Sequence, residues 1–174
     1  MQLRPAVPED MATVADIWHR AWHTAHPGHV PEGLTAARTL AAFHERTPSR
    51  VADTTVAVVD GRVVGFAMVS GDELEQIFVD PDLHGGGVAA PLLADGERRL
   101  AEAGYDVAWL AVVVGNARAR RFYEKHGWYD AGDLPYEVTA LGETFISPCR
   151  RYEKRVGSLT ARTTGPAAAT SPDT

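Results

Sequence analysis

Three consecutive glycines, Gly85, Gly86 and Gly87, are the clearest candidate for a ligand-binding segment in this sequence. They follow an apolar segment with strand character and precede a segment with helical periodicity. Glycine leaves backbone N–H groups free to point at a bound anion, and the start of a helix adds a positive partial charge. The loop therefore predicts a phosphate-binding turn, although a flexible connector without a ligand would have the same composition.

A dinucleotide is one phosphate ligand that such a turn can bind, since residues 85–90 match the GxGxxA pattern of dinucleotide-binding folds. That pattern expects its glycines directly after the strand, and an acidic residue about 20 positions further on. Here residues 80–84 separate the strand from the glycines, and residues 114–116 contain no acidic side chain. A dinucleotide site is therefore a poor match.

The elements before the glycine loop are predicted to be helical first and then extended. A short strand at 2–4 leads into a helix whose apolar positions run from Met11 to Trp22, and a weaker helix is predicted at 34–45. Three strands follow, separated by turn signals such as Asp60-Gly61. They span residues 51–59, 62–69 and 73–79.

After the loop, the pattern alternates between helix and strand. A helix is predicted at 88–103, an apolar strand at 107–114, and a second helix that begins at the N-cap Asn116 and ends before Gly127. Two further strands are expected near 128–138 and 145–156. The strand, loop, helix and strand within 73–114 form one βαβ unit, the parallel element of a mixed α/β sheet.

The composition limits the class of protein. The chain has 174 residues, of which 45% are hydrophobic and 23% charged, as in one ordinary globular domain. A net charge of -6 argues against nonspecific nucleic-acid binding and suits a cationic partner better. The single cysteine, Cys149, excludes an internal disulfide framework. No signal peptide or membrane span is apparent, so we expect a cytoplasmic protein.

Two motifs resemble the signatures of the GNAT N-acetyltransferase superfamily. The acyl-CoA-binding pattern Gln/Arg-x-x-Gly-x-Gly/Ala is matched by His-Gly-Gly-Gly-Val-Ala at 84–89. The downstream pattern of Asn, Tyr and Gly-aromatic is matched by N-x-x-A-x-x-x-Y-x-x-x-G-W at 116–128. The resemblance covers residues 2–156. It implies the GNAT fold, a mostly antiparallel sheet with one parallel βαβ unit whose two strands splay apart to receive acyl-CoA.

The resemblance implies acetyl-CoA as co-substrate and no metal. Two residues depart from the family pattern: His84 replaces the usual Gln or Arg, and Gly86 stands where a basic residue is common. Both changes remove side-chain contacts to the phosphates and leave the backbone contacts. Asn116 either caps its helix only or also contacts the cofactor. The implied cofactor-binding residues are Ile77, Phe78, Val79, His84, Gly85, Gly86, Gly87, Val88, Ala89, Ala90, Asn116 and Ala119.

The implied reaction is direct transfer of an acetyl group to a primary amine of a small molecule or peptide in a ternary complex. The backbone N–H near Ile77 corresponds to the family's oxyanion donor, and Val79 to the position that holds the pantetheine arm. Tyr123 stands where the family has its general acid, which either protonates or hydrogen-bonds the leaving thiolate. A buried aromatic that only packs in the core is the alternative for Tyr123.

A base is also needed, because a lysine-like amine has a pKa of about 10.4 and must lose a proton before it attacks. Glu73 and Glu75 alternate onto one face of their strand, which we expect to be the face of Ile77 and Val79. Glu75 is favoured over Glu73 because it lies only two residues from Ile77. A solvated strand end would carry the same charges.

In this family, acceptor recognition involves the first two helices and the last two strands. Here these regions contain Trp18, Trp22, His23, His26 and Tyr136. The implied substrate-binding residues are Trp18, Trp22 and His26, although two tryptophans four residues apart are also typical of a helix core. His19, His23 and His26 have near-helical spacing but no carboxylate at a matching position, so surface histidines are favoured over a metal site.

Several alternatives remain at this stage. The nonstandard loop after His84 keeps open a GNAT-shaped module that binds acyl-CoA without transferring the acyl group. A homodimer is compatible with the family, and the acceptor amine is not identified. We expect residues 1–156 to form the GNAT domain and residues 157–174, which contain one Leu and no aromatic side chain, to be a disordered tail.

Overall fold

The computed structural model describes residues 1–157, which contain one seven-stranded sheet and five α-helices. The expected disorder of the tail concerns residues that lie, apart from Gly157, outside the described part, and the domain boundary at 156 stays a prediction. Within residues 1–157, no helix combines the length and the apolar content that crossing a membrane requires.

The sheet is mixed and mostly antiparallel. Its strands are β1 (Gln2–Pro5), β2 (Thr54–Val59), β3 (Arg62–Ser70), β4 (Glu73–Val79), β5 (Val107–Val113), β6 (Tyr129–Ala140) and β7 (Glu143–Arg155). Their order is β1-β2-β3-β4-β5-β7-β6, and only β4 and β5 are parallel. This architecture confirms the predicted fold class, including the single βαβ unit.

Helices cover both faces of the sheet. They are α1 (Met11–Ala25), α2 (Glu32–Ala37), α3 (Leu40–Arg46), α4 (Ala89–Glu102) and α5 (Ala117–Lys125). On one face, α1, α2 and α3 pack through Trp18, Leu34 and Phe43 against Phe66 of β3. On the other face, α4 and α5 pack against β4 and β5. The side chains of β4 can therefore reach either of two separate layers.

The parallel strands β4 and β5 are paired at a single position, Glu73 opposite Trp109. The amide of Trp109 donates to the carbonyl of Asp72 at 3.2 Å, next to this pair. Beyond it, toward their carboxyl ends, the two strands are no longer paired. The sheet therefore opens between them, as the splay expected from the resemblance requires.

The predicted helix at 34–45 is wrong as a single element, because the chain breaks at Arg38 (φ -86°, ψ 57°). Thr39 then caps a new helix by accepting a hydrogen bond from the amide of Ala42 at 3.2 Å. His23 Nε2 lies 2.6 Å from the carbonyl oxygen of Arg38 and holds the break against α1. Apolar periodicity continues through this break, so the sequence pattern did not reveal it.

A β-bulge in β4 changes which face its side chains occupy. Met68 of β3 pairs with Gln76 and Val69 with Leu74, so Glu75 is an extra residue with no partner on β3. The bulge reverses the alternation that follows it. As a result Ile77 and Val79 pack in the apolar clusters on the α4 side, while Glu73 and Glu75 line a cavity on the α1 side. The prediction that all four share a face is therefore wrong.

Candidate active site

Two concave regions adjoin β4 where it separates from β5. The first, here called the groove, has a volume of about 470 Å³ and is lined by the end of β4, the loop before α4, and the start of α5. The second, here called the cavity, has a volume of about 250 Å³ and lies under α1, α2 and α3. Gln76 lines the cavity and Ile77 lines the groove, so adjacent residues of one strand separate the two spaces.

The backbone of β4 presents free amides to the groove. The N–H of Asp80 donates to the carbonyl of Val64 on β3 at 2.8 Å. Because backbone directions alternate along a strand, the N–H groups of Ile77 and Val79 point the other way, toward the opening beside β5. The pairing with β5 has ended before these residues. Both amides therefore face the groove.

The glycine loop reaches α4 through two left-handed backbone conformations. Gly85 and Gly87 have φ values of 84° and 76°, which any residue with a Cβ adopts at a cost. The N–H of Gly86 donates to the carbonyl of Leu83 at 3.0 Å, which closes the turn. Within residues 1–157, the amides of Gly85 and Gly87 have no backbone hydrogen-bond partner. The loop thus exposes N–H donors immediately before a helix start.

A guanidinium group stands beside this loop. Arg118 on α5 donates a hydrogen bond to Nδ1 of His84 at 3.1 Å, and both side chains line the groove. Partial burial and the charge of Arg118 lower the pKa of His84 below its usual value. His84 is therefore neutral near pH 7, and the positive charge at this end of the groove belongs to Arg118.

Asn116 and Tyr123 complete the groove from α5. Asn116 Oδ1 accepts a hydrogen bond from the amide of Ala119 at 3.1 Å, so its predicted helix cap is confirmed. Tyr123 is half-buried, and its ring packs near those of Trp128 and Tyr152 with centroid distances of 6.2 and 6.4 Å. Burial raises the pKa of Tyr123 above its usual range. Its hydroxyl therefore stays protonated and acts as a hydrogen-bond donor.

The two carboxylates of the cavity have different environments. Tyr136 Oη donates to Glu73 Oε1 at 3.0 Å, and burial raises the pKa of Glu73 to about 7. Glu75 instead forms an ion pair with Arg50, whose guanidinium also binds Asp53 at 3.0 Å. Glu73 is therefore the carboxylate of the cavity that changes protonation near neutral pH.

The comparisons with known proteins agree on one family. The family model described as the acetyltransferase (GNAT) family matches residues 13–128. The chain belongs to the GNAT acetyltransferase family. It is 34% identical over 122 residues to uncharacterized N-acetyltransferases of Mycobacterium tuberculosis and Mycobacterium bovis, covering 67% of this chain and 78% of each relative.

Solved structures show the same fold. The PaiA N-acetyltransferase of Thermoplasma acidophilum, in complex with coenzyme A, is 18% identical with a TM-score of 0.64, over 88% of this chain and 98% of that one. YncA of Salmonella typhimurium, with its cofactor acetyl-CoA, is 19% identical with a TM-score of 0.64, over 97% and 99%. At these identities the similarity concerns the fold of this GNAT protein.

In this GNAT protein, the groove brings together most of the residues predicted for the cofactor. Its lining includes Ile77, Phe78, Val79, His84, Ala89, Asn116, Ala119 and Tyr123. Gly85, Gly86 and Gly87 are exposed in the adjoining loop. Val88 packs in the core with 5% exposure, and Ala90 lies one residue inside α4. The cofactor roles of these residues stay predictions, but most of the residues lie in or beside the same groove.

The residues predicted for the acceptor lie on the cavity side. Trp22 stacks on His26 with parallel rings 4.7 Å apart, and both line the cavity. Trp18 reaches the cavity lining but is 1% exposed and packs against Phe43 and Phe66. Burial lowers the pKa of His26 to about 4, so the ring is neutral at physiological pH.

The metal alternative has no geometric support. His19 and His23 pack ring against ring at 4.6 Å, while His26 faces Trp22. Within residues 1–157, no three His, Cys, Asp or Glu side chains are placed to hold a metal ion together.

Sequence reasoning missed three arginines. Arg118 borders the groove, and Arg38 and Arg46 line the cavity. Their sequence contexts resemble ordinary polar helix positions, because their inward orientation depends on the break at Arg38 and on the approach of α5 to the glycine loop. For Arg118 the one signal was the presence of three arginines among residues 118–121, which an exposed helix would also carry.

Proposed function

We propose that this GNAT protein is an acetyl-CoA-dependent N-acetyltransferase that transfers the acetyl group directly to a primary amine of a small molecule or peptide. One observation carries the proposal. Adjacent residues of β4 line a groove that suits acyl-CoA and a cavity that contains a titratable carboxylate. An acyl donor and an amine bound on the two sides would meet at the gap between β4 and β5.

Acetyl-CoA as donor is supported by the fold relatives with coenzyme A and acetyl-CoA, and by the donors that line the groove. The amides of Gly85 and Gly87 and the start of α4 suit the pyrophosphate. The resemblance implies that the side chain at position 84, usually Gln or Arg, contacts the phosphates. In this chain position 84 is a neutral His, and the guanidinium of Arg118 beside it supplies a positive charge for the phosphates. The exposed amide of Val79 suits the pantetheine arm.

Glu73 is the base in this proposal, in place of Glu75, which the sequence favoured. The ion pair with Arg50 occupies one of the carboxylate oxygens of Glu75. Glu73, with a pKa of about 7, accepts a proton from a bound ammonium directly or through a water. A base whose pKa lies near the working pH is the most effective one.

The transfer itself uses one amide and one hydroxyl. The amine nitrogen attacks the thioester carbonyl carbon, and the N–H of Ile77 stabilises the developing oxyanion. Glu73 has by then taken the first ammonium proton. As the C–N bond forms and the C–S bond breaks, the electron pair goes to sulfur, and the second proton, lost from the acylated nitrogen, goes to the leaving sulfur to give the free thiol of coenzyme A. Tyr123 donates a hydrogen bond to the leaving thiolate, because its raised pKa keeps the hydroxyl protonated.

Direct transfer is favoured over an acetyl-cysteine intermediate. Cys149 lines the cavity, but burial raises the pKa of its thiol to about 11. Little of it is thiolate near pH 7, so it is a poor nucleophile. Cys149→Ala is therefore expected to retain turnover.

The test combines binding and turnover. Thermal unfolding is followed with acetyl-CoA, coenzyme A and NAD, and thiol release from acetyl-CoA is then measured with a panel of amines. We expect the first two ligands to raise the unfolding midpoint, since a ligand at 100 times its Kd adds about 2.7 kcal/mol. Amine-dependent thiol release is also expected.

Two outcomes contradict this function. If acetyl-CoA causes no shift, the groove is not a cofactor site and the proposal fails. If acetyl-CoA binds but no amine is acetylated, the protein is the non-catalytic acyl-CoA-binding module that the sequence left open.

A further inference from the structure

Two guanidinium groups that line the cavity have no acidic partner among residues 1–157. Arg38, at the break between α2 and α3, is 9% exposed, and Arg46 closes the last turn of α3. Within residues 1–157, neither guanidinium forms an ion pair or a side-chain hydrogen bond. Arg50 differs from both, because Glu75 and Asp53 neutralise it.

A buried, unpaired charge is energetically unfavourable, and proteins normally pair or expose it. Burial, together with the smaller effect of the neighbouring charge of Arg46, lowers the pKa of Arg38 to about 10. Burial also lowers the pKa of Arg46, partly offset by the charge of Glu75. Both groups would be stabilised by an anion in the cavity.

The position of each arginine is held by the fold. The carbonyl of Arg38 is fixed by His23, and Thr39 caps the next helix, so the backbone at the break is anchored on both sides. The guanidinium of Arg46 stacks over the ring of Trp18 at 4.6 Å, which leaves its N–H edges free. Planar guanidinium edges match the two oxygens of a carboxylate.

Carboxylates of the sheet also line the cavity. Glu73, hydrogen-bonded to Tyr136, lies on β4, and exposed Glu137 on β6 also contributes to the lining. The cavity therefore contains guanidinium groups from the α2–α3 region as well as carboxylates from the sheet, and the charge of Glu75 acts on Arg46. Charges of both signs suit a ligand that carries an anionic and a cationic group, unlike the purely cationic partner that the net charge of the whole chain favoured.

The size of the cavity limits the ligand. At about 250 Å³ it is below the range of roughly 300–1,000 Å³ that is typical for drug-sized ligands. A large polycationic antibiotic or a folded protein surface would not fit inside it, whereas a single small metabolite would.

We propose that the acceptor is a free amino acid, whose carboxylate binds to Arg38 and Arg46 and whose amine faces Glu73. This inference rests on the proposed transferase function and specifies its substrate class. Arg38 and Arg46 are then substrate-binding residues that distinguish amino acids from amines lacking an anionic group.

The test measures acetylation of the twenty common L-amino acids, their carboxamides, 1-aminoethylphosphonate and spermidine, with acetyl-CoA saturating. We expect at least one amino acid to be acetylated, and its carboxamide to have a kcat/KM lower by about ten- to a hundredfold, since a charge-assisted hydrogen bond is lost. Alanine is expected to exceed its phosphonate analogue. Preference for carboxamides, for the phosphonate or for spermidine would overturn the inference while leaving the transferase function intact.

Variants test the arginines themselves. Arg38→Gln and Arg46→Gln are expected to raise the KM for the amino acid about tenfold or more, and to lower kcat/KM for the amino acid more than for its carboxamide. Arg62→Gln, an exposed arginine of β3, is the matched control. An equal loss on amino acid and carboxamide would contradict the assignment.

Two further measurements, thermal unfolding and amino-acid binding, test the cases in which Arg38 has a structural role or no amine is acetylated. Because Arg38 is buried without a partner, Arg38→Gln is expected to keep or raise the unfolding midpoint; a clear fall would indicate a structural role and contradict the assignment. If no amine is acetylated, the binding of the amino acids is measured by titrating them into the coenzyme A-loaded protein. Absence of binding then overturns the inference, and failure to bind acetyl-CoA overturns the transferase function separately.

Discussion

At the scale of single residues, the environment of Glu73 determines how the site responds to pH. Its pKa of about 7 is the result of two opposing effects: burial raises it, and the hydrogen bond from Tyr136 lowers it by favouring the ionised form. Glu75, two residues away, has a similar chemical identity but a permanent partner in Arg50. Two neighbouring carboxylates of one strand therefore have different environments.

The pH dependence of turnover tests this assignment. We expect kcat/KM to rise with pH through about 7, because Glu73 must be ionised to accept a proton. Tyr136→Phe removes the hydrogen bond that lowers the pKa, so the acidic limb should move to higher pH. Glu73→Gln should remove that limb and reduce kcat by about 10²–10⁴-fold. Exposed Glu143→Gln is the control, and an unchanged limb in Glu73→Gln would exclude this base.

Tyr123 provides a second prediction at this scale. Tyr123→Phe removes the hydroxyl proposed to bind the thiolate, so kcat should fall about ten- to a hundredfold while the KM for acetyl-CoA changes little. Tyr129→Phe, at an exposed tyrosine, is the matched control. Steady-state kinetics with both variants checks this, and equal turnover in the Tyr123 variant and its control would leave Tyr123 a packing residue.

At the scale of elements, three irregularities create the site. The bulge at Glu75 separates the carboxylates of β4 from its apolar end, and the break at Arg38 directs a guanidinium into the cavity. The left-handed glycines allow the loop to reach α4 with free amides. Each irregularity departs from an ideal strand, helix or turn, and each changes what the neighbouring side chains or amides can contact.

The glycine loop gives a prediction with a close internal control. In both Gly87 and Gly61 the φ value is positive, 76° and 75°, and an added Cβ would meet no atom within 4 Å. Gly87→Ala and Gly61→Ala should each destabilise the protein by about 1–2 kcal/mol, measured by thermal unfolding. Only Gly87→Ala should raise the Kd of acetyl-CoA, because Gly61 lies in the turn between β2 and β3. Equal Kd values in the two variants would indicate a connector without a cofactor role.

At the scale of the whole molecule, the net charge of -6 does not describe the local charge at the site. Arg118 borders the groove, and both guanidinium groups and carboxylates line the cavity. Substrate choice depends on this local distribution, since charges on the outer surface are screened by solvent over about 10 Å. A cytoplasmic location and a homodimer stay predictions.

The pH dependence of protein stability should reveal the cost of burying Glu73 as a carboxylate. Glu73 has a native pKa of about 7, above the ordinary value of about 4.3, so between these values the native state binds more protons than the unfolded state. Its contribution is thus most unfavourable at high pH. Glu73→Gln should raise the unfolding midpoint more at pH 8.5 than at pH 5.5. An equal difference at both pH values would show that Glu73 has an ordinary pKa in the native protein.

The sequence determined the family, the order of the strands and of most helices, and the position of the glycine turn that is predicted to bind phosphate. These features depend on local signals: apolar periodicity, glycines at a strand-to-helix junction, and the caps at Asn116 and Gly127. Because such signals act within a few residues, they can be recognised in the sequence before any tertiary contact is known. Most of the residues predicted for the cofactor accordingly lie together in one groove.

Only the tertiary structure decided the faces and partners of the site residues. Glu73 and Glu75 could not be distinguished from sequence, because the bulge depends on pairing with β3 and the ion pair depends on Arg50, 25 positions earlier. The inward orientation of Arg38 likewise depends on His23 of α1. Contacts between residues far apart in the sequence determine how deeply these side chains are buried. Burial in turn shifts the pKa of each group and so determines the charge that it presents to a ligand.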